Sequence, residues 1–576
     1  VPSPSSRAPL PALLLLGACG ADPKPGAGAD SAAPDSAAAG RCLPAAAPVG
    51  RCGAGPVARG SLIPGPADPG HDPALAAAVR RHDRVFHAFA TRGTGLAADL
   101  SLAGDPAAAR AAIGAWLEAD AGWDFEAWSG APVSSVIGAW GKVAGAYAGV
   151  GVAADAFRYG ALRDEGADCA EVEAARAQLL AALDGLHLAV AITGVEGVIA
   201  RGFASLDNPG FAADQELTPL FDAAGQPLPA EKDNGTWRAD NSGAYPRHIW
   251  EDSCSRDMLV GWAAGFGAAW EVIRADPDIP AEPKLRLAED ARALVASLAV
   301  VRESGYDLEI RDADGRMTYH GLLHESSVDR YYVPGAENGP NALMALGITG
   351  ALAAAAEDPA ALEWIDGTLL GPRGLGQIAR DRASLVDFGA ATNYSGTNMA
   401  FLGGWLGGRY LCGAGGRADV QQGVTLGLYA RPGEDRQPVE QSQALYHLIA
   451  AAAAGGLWAG GSTGEADADA VARALVDLGA FWPAPYVPEA RVNCDEAEVA
   501  AGACTALDGS PLTLLGPIGW NDALISLEPL PLSIRPASNY HWRSNPYEVN
   551  GDPGAGQLYS AVDLRVVYWM GRYARR

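Results

Sequence analysis

The chain has 576 residues, a formal charge of −26 at pH 7, 49% hydrophobic residues and 15 Trp. That length and apolar content predict a folded protein with a large core and exclude a mainly disordered chain. The acidic balance excludes nucleic acid and anionic membrane surfaces as partners, and it suits neutral or cationic ligands.

The first element reads as a processing segment. Arg7 precedes an apolar run over residues 10–16, which leads into Gly17, Ala18 and Cys19. Leu-Gly-Ala-Cys resembles the lipobox of bacterial lipoproteins. The resemblance implies a signal peptide over 1–19, lipidation of Cys19, and an exported protein held at the outer membrane or periplasm by its lipid anchor alone. An ordinary signal peptide with an incidental cysteine is the competing reading. The run is too short to span a bilayer, which takes about 20 residues, and no later segment is apolar enough to do so. Residues 20–73 are rich in Ala, Pro, Gly and Ser, lack aromatic residues, and predict a flexible tether. Export permits disulfides. Cys42 with Cys52 and Cys494 with Cys504 would each close a short loop. Cys169, Cys254 and Cys412 then remain, so at least one thiol stays free or pairs between chains.

From residue 74 onward helical patterning recurs to the C-terminus. Helices are predicted at 74–91, 105–119, 132–150, 169–184, 187–201, 254–274, 281–302, 338–357, 359–366, 392–411, 437–454, 466–480 and 557–574. Strand-like alternation is scarce. One short β-hairpin is expected from 306–310 and 316–320, turning through 312–315. Long loops at 202–253, 303–337, 367–391, 412–436 and 481–556 alternate with short turns, and several carry Trp, Tyr, His, Asn and Arg. The pattern predicts a mainly α fold: an (α/α)6 toroid-like helical domain over 74–576, with long aromatic-rich loops at one end. A helical solenoid or an irregular α domain is the alternative.

Four stretches carry the candidate chemistry. In the first, Asp240, Asn241, His248, Trp250, Glu251, Asp252, Arg256 and Asp257 precede or open a helix. A helix N-terminus attracts anions, and an arginine there can hold a carboxylate in place. The bland reading is that Asp252 or Ser253 caps the helix. Along that helix Met258, Trp262, Phe266, Ala269 and Ile273 form an apolar stripe, and Gly261 and Gly265 would admit a close neighbour. The second stretch holds Tyr319, His320, His324, Glu325 and Asp329. His320 and His324 are spaced like helical metal ligands, but Gly321 argues against a helix, and no metal or cofactor is expected. In the third, Asn393 could offer an amide to a cleft or simply start a helix. In the fourth, Asn539, His541, Trp542 and Arg543 alternate rings with hydrogen-bonding groups, as carbohydrate binding requires. They could equally pack the last helix onto the first.

Residues 251–257 enter a Gly/Trp-rich helix. Together with the terminal segments 542–547 and 568–572, this resembles exported bacterial proteins of (α/α)6-toroid type. That architecture is shared with glycoside hydrolases and polysaccharide lyases, which implies a site at the long-loop end. The reading is an envelope-anchored carbohydrate-active enzyme, a glycoside hydrolase using carboxylate acid/base catalysis on a glycan or other neutral polymer. Such enzymes set two carboxyls about 5–5.5 Å or about 6.5–9.5 Å apart. Asp252 or Asp257 on one side and Glu325 on the other are the candidates, with Glu251 in reserve. Trp250 would raise the acid's pKa by burying it. Arg256, His320, Asn393, Asn539, His541, Trp542 and Arg543 would contact the substrate. A non-catalytic envelope lipoprotein binding glycan or protein is the alternative. A polysaccharide lyase with Tyr319, His320 or His541 as base is a further one.

Overall fold

The computed structural model describes residues 43, 50–119, 128, 132–455, 466–554 and 556–575. The expected leader, Cys19, Cys42 and the start of the expected tether lie outside the described residues.

The fold is mainly α. Helices α1 (Pro73–Val85), α2 (Pro106–Glu118), α3 (Gly145–Glu165), α4 (Cys169–Ala191), α5 (Arg256–Ile273), α6 (Ala281–Ala299) and α7 (Gly339–Ala356) make up the first half. The second half holds α8 (Pro359–Trp364), α9 (Leu375–Arg382), α10 (Tyr394–Tyr410), α11 (Ala414–Gln422), α12 (Ala444–Gly455), α13 (Ala468–Gly479), α14 (Glu496–Ala500) and α15 (Val562–Tyr573). Many starts are set locally. Asp72, Asp105 and Asp358 cap α1, α2 and α8 through their carboxylates, each followed by a proline whose missing N–H costs nothing at that position.

The core is a set of central helices in side-to-side contact. α3 packs on α5 and α15, α5 on α7, α7 on α10, α10 on α12, and α12 on α15. Helices α4, α6, α9, α11 and α13 cover them. α3 and α5 run parallel with their backbones nearly touching. A side chain at Gly149 would strike the Gly261 carbonyl, and one at Gly265 would crowd Gly149. The spacing of Gly261 and Gly265 therefore serves the close approach expected of it. α15 is tied to α1 and α3 by the Arg565 guanidinium, which donates to Asp83 and Asp155 at 2.6 Å each.

Several expectations are corrected. Residues 132–150 are not one helix but strand β2 followed by the start of α3. Every residue of α3 is buried, so no polar face exists to give a helical period. Residues 169–201 hold one helix, α4, rather than two. α7 is long and apolar enough to cross a membrane, contrary to expectation, but 94% of it is buried inside the protein, as for a core helix. Residues 50–72 do not extend freely. Leu62 and Ile63 are buried against the last helix, with their N–H groups on the Ala574 and Gly571 carbonyls. Cys52 is bonded to Cys169 rather than to Cys42. The Cys494–Cys504 bond forms as expected, and Cys254 is free and buried.

The strands are β1 (Ala98–Leu102), β2 (Ile137–Ala144), β3 (Gly202–Ser205), β4 (Trp237–Ala239), β5 (His248–Glu251), β6 (Glu309–Arg311) and β7 (Met317–Leu322). They continue with β8 (Ser327–Val328), β9 (Tyr331–Tyr332), β10 (Arg491–Val492), β11 (Leu514–Pro517), β12 (Leu524–Ser526), β13 (Asn550–Gly551) and β14 (Gln557–Leu558). The expected hairpin is β6 with β7. An unexpected antiparallel sheet runs in the order β14-β1-β2-β3-β5-β4. Three of its strands, β2, β5 and β14, lead directly into α3, α5 and α15. The sheet therefore gathers the N-terminal ends of these helices.

Candidate functional site

At the end of β5, Ser253 takes a left-handed turn (φ 62°) before α5 starts. Asp252, just ahead of it, is fully buried. Its carboxylate accepts from Arg238 Nε at 3.0 Å, Arg238 Nη2 at 2.6 Å, Lys232 Nζ at 3.1 Å and the Thr236 N–H at 2.9 Å. Lys232 also binds Asp312, whose carboxyl is pushed up by burial and by the nearby Asp252 charge. Glu325 is likewise engaged. Arg373 grips both of its oxygens, and the same guanidinium holds Asp307 at 2.7 Å. Asp252 and Glu325 thus sit in separate ion-pair clusters. Trp250 is buried in β5 with its indole N–H on the Ala239 carbonyl at 2.9 Å.

Asp257 differs. It stands half-buried in the first turn of α5 and accepts from the Ser255 hydroxyl. From there a polar belt extends in one direction. Ser255 Oγ accepts from Arg201 at 2.8 Å, Arg201 approaches Glu251 at 3.8 Å, and Glu251 binds Lys142 at 2.7 Å. The Lys142 charge acts on Asp99, which accepts from Asn539 Nδ2 at 2.8 Å and from the Tyr540 hydroxyl at 3.2 Å. On the other side of Asp257, Arg256 donates to Asn341 at 3.2 Å and reaches Asp329 at 3.5 Å. Asp329 in turn holds His320 Nδ1 at 2.8 Å. The belt therefore brings together Asp257, Arg256, His320 and Asn539 of the expected residues, and it includes the reserve carboxylate Glu251.

The belt ends at a cleft of about 430 Å³ lined by Tyr147, Tyr540, Arg543 and Glu548 among others. The Tyr147 and Tyr540 rings stack, and the exposed Arg543 guanidinium lies 5.6 Å from the Tyr147 ring centre. Burial pushes the Asp99 carboxyl upward, against the lowering pull of Tyr540, Lys142 and Asn539. Burial alone pushes Glu548 upward. The Glu548 carboxylate has no hydrogen bond or ion pair among the described residues.

His541 and Trp542 do not line this cleft, contrary to expectation. They sit in a 3-10 turn, His541–Arg543, whose repeat of about three residues puts Tyr540 and Arg543 on one side. The two residues between face the core. Trp542 is 1% exposed, and His541 is buried against Arg535, with its backbone N–H on Asp563 at 2.8 Å. Asn393 is exposed and caps α10 through the Ser395 N–H at 3.0 Å, so the helix-start reading accounts for it. His320 lies on strand β7 rather than on a helix. Among the described residues, no group of three or more His, Cys, Asp or Glu side chains could hold a metal ion.

Tyr147, Asp99, Lys142, Arg201 and Glu548 escaped the sequence reading. The first four stand alone among small or apolar neighbours, Glu548 directly follows the polar, aromatic stretch that ends at Tyr547, and only the sheet and the returning C-terminal segment unite them. Compared with known proteins, the chain matches no family model, no curated protein and no solved structure.

Proposed function

We propose that this chain is an exported carbohydrate-active enzyme of the glycoside hydrolase class, built as an (α/α)6 toroid. The succession of neighbours α3, α5, α7, α10, α12 and α15, returning to α3, supports the ring. The disulfides Cys52–Cys169 and Cys494–Cys504 fit an oxidising compartment, in keeping with export and a lipid anchor at Cys19.

One observation carries the reading: a cleft walled by two tyrosine rings and an arginine, and lined by a burial-raised carboxyl that has no partner among the described residues. Aromatic faces cover the apolar faces of sugars, and Arg543 reaches hydroxyls. Glu548 is the proton donor to the leaving oxygen. Asp99, held by Asn539 and Tyr540, is the second carboxylate, and its raised pKa makes it a stronger base for activating water. Asp257 and Arg256 extend the binding surface along the belt. Asp252 and Glu325, fully engaged in ion pairs, serve the fold in this account.

The test is release of reducing ends from a panel of neutral glycans. Glu548→Gln and Asp99→Asn should each lower kcat by about 100-fold or more with little change in KM. A wild-type protein that binds glycan at the cleft yet releases no product would sink the hydrolase reading. It would leave the non-catalytic binding protein, which the engagement of Asp252 and Glu325 already favours as a second reading.

A further inference from the structure

A second cavity, of about 700 Å³, shares no residue with the tyrosine cleft. Its walls are the turn at residues 91–95, the middle of α4, the loop before β5, and Arg286 of α6. That volume suits a small organic molecule, since ligand sites commonly span about 300–1,000 Å³.

Its charged lining is mainly cationic, two arginines against one aspartate. The exposed Arg92 guanidinium and the Tyr245 hydroxyl both lie on the cavity wall, and neither has a hydrogen-bond partner among the described residues. Arg286 adds a second guanidinium, partly engaged by Asp184 and by Glu282 at 3.2 Å. Gly93 takes a left-handed conformation (φ 75°), and Asn208 Nδ2 donates to the Arg92 carbonyl at 2.8 Å, which holds the turn that presents Arg92. Burial lowers the His248 pKa, so this ring is neutral near pH 7 and the cationic character rests on the arginines.

We propose that this cavity is a binding site for a small organic monocarboxylate of about monosaccharide size. A free guanidinium fork matches the two oxygens of a carboxylate, and the Tyr245 hydroxyl supplies a further donor. A dianionic phosphate fits less well, because Asp184 stands on the same wall and the chain as a whole carries −26. Hydroxyl groups of the ligand would meet Thr91 and Gln178. The inference stands apart from the hydrolase reading and survives its failure.

Titration calorimetry with glucuronate and glucose tests it on the full chain. Glucuronate should bind with one site per chain, and glucose at least about tenfold more weakly. Arg92→Met should weaken glucuronate about tenfold or more, the scale of one lost charge-assisted bidentate contact. Because Arg92 is exposed, its thermal unfolding should match wild type. Tyr245→Phe should give a smaller loss. Arg543→Met, in the tyrosine cleft, should leave glucuronate affinity unchanged. No measurable glucuronate binding overturns the proposal. So does affinity that persists in Arg92→Met, or that is lost in Arg543→Met.

Discussion

Asp99 and Asn539 stand 440 residues apart in sequence and share a hydrogen bond of 2.8 Å. Through it, strand β1 and the C-terminal segment meet beside the stacked tyrosines, and a carboxyl raised by burial is held in a fixed orientation. Asn539→Ala should remove that orientation without removing the carboxyl. The expected outcome is a fall in kcat of about tenfold, smaller than for Asp99→Asn, with the acidic arm of the kcat–pH profile displaced upward because Asn539 no longer lowers the Asp99 pKa. Steady-state kinetics between pH 4 and 9 check it.

The Asp252 cluster gives the opposite expectation. Asp252 is fully buried between Arg238 and Lys232, so Asp252→Asn leaves one buried and one half-buried cation under-compensated. The variant should lose about 3–5 kcal/mol of stability, as when one partner of a buried pair is removed. Its kcat, measured where it remains folded, should match wild type. Urea denaturation and turnover on the same preparation separate the two effects.

Asp563 makes stability depend on pH. Burial lifts its carboxyl from the ordinary 3.8 to about 7, although the backbone N–H groups of His541 and Leu564 pull it down. The folded state therefore holds this proton more tightly than the unfolded chain. Its contribution is complete below pH ~4 and is lost as pH rises through about 7, up to ~4 kcal/mol in all. Urea midpoints should fall from pH 5 to pH 8, and Asp563→Asn should flatten that slope.

The contact between α3 and α5 leaves no room for a methyl group. Gly149→Ala would drive a carbon into the Gly261 carbonyl on the neighbouring helix. The helices must then separate, at a cost of about 1–3 kcal/mol or more. A lowered melting temperature by circular dichroism is the expected result. Gly114→Ala, with open space around it, should leave the melting temperature unchanged or raise it.

Reduction offers another check on the fold. The Cys52–Cys169 bond closes a loop of 117 residues and pins the segment before α1 to the start of α4. Cys52→Ser should cost about 2–5 kcal/mol, and proteolysis should then begin within residues 50–72.

The sequence alone determined what depends on near neighbours. Aspartates that cap helices bond to N–H groups two or three residues away, as at Asp72 and Asp105, so those helix starts were legible. The Gly261 and Gly265 spacing marked a close helix contact, and the β6–β7 hairpin followed from its turn residues. What the sequence could not decide was which carboxylates are engaged. Asp252, Asp257 and Glu325 look alike in a string of letters. Their partners Arg238, Ser255 and Arg373 lie at unrelated separations, and a carboxylate's reactivity depends on which cations reach it. The tertiary structure also decided the faces of residues 538–547, because a turn of three residues per repeat sends Tyr540 and Arg543 to the cleft and His541 and Trp542 to the core. Burial, the main cause of the raised pKa values of Asp99, Glu548 and Asp563, belongs to the packed chain and to no local stretch of it.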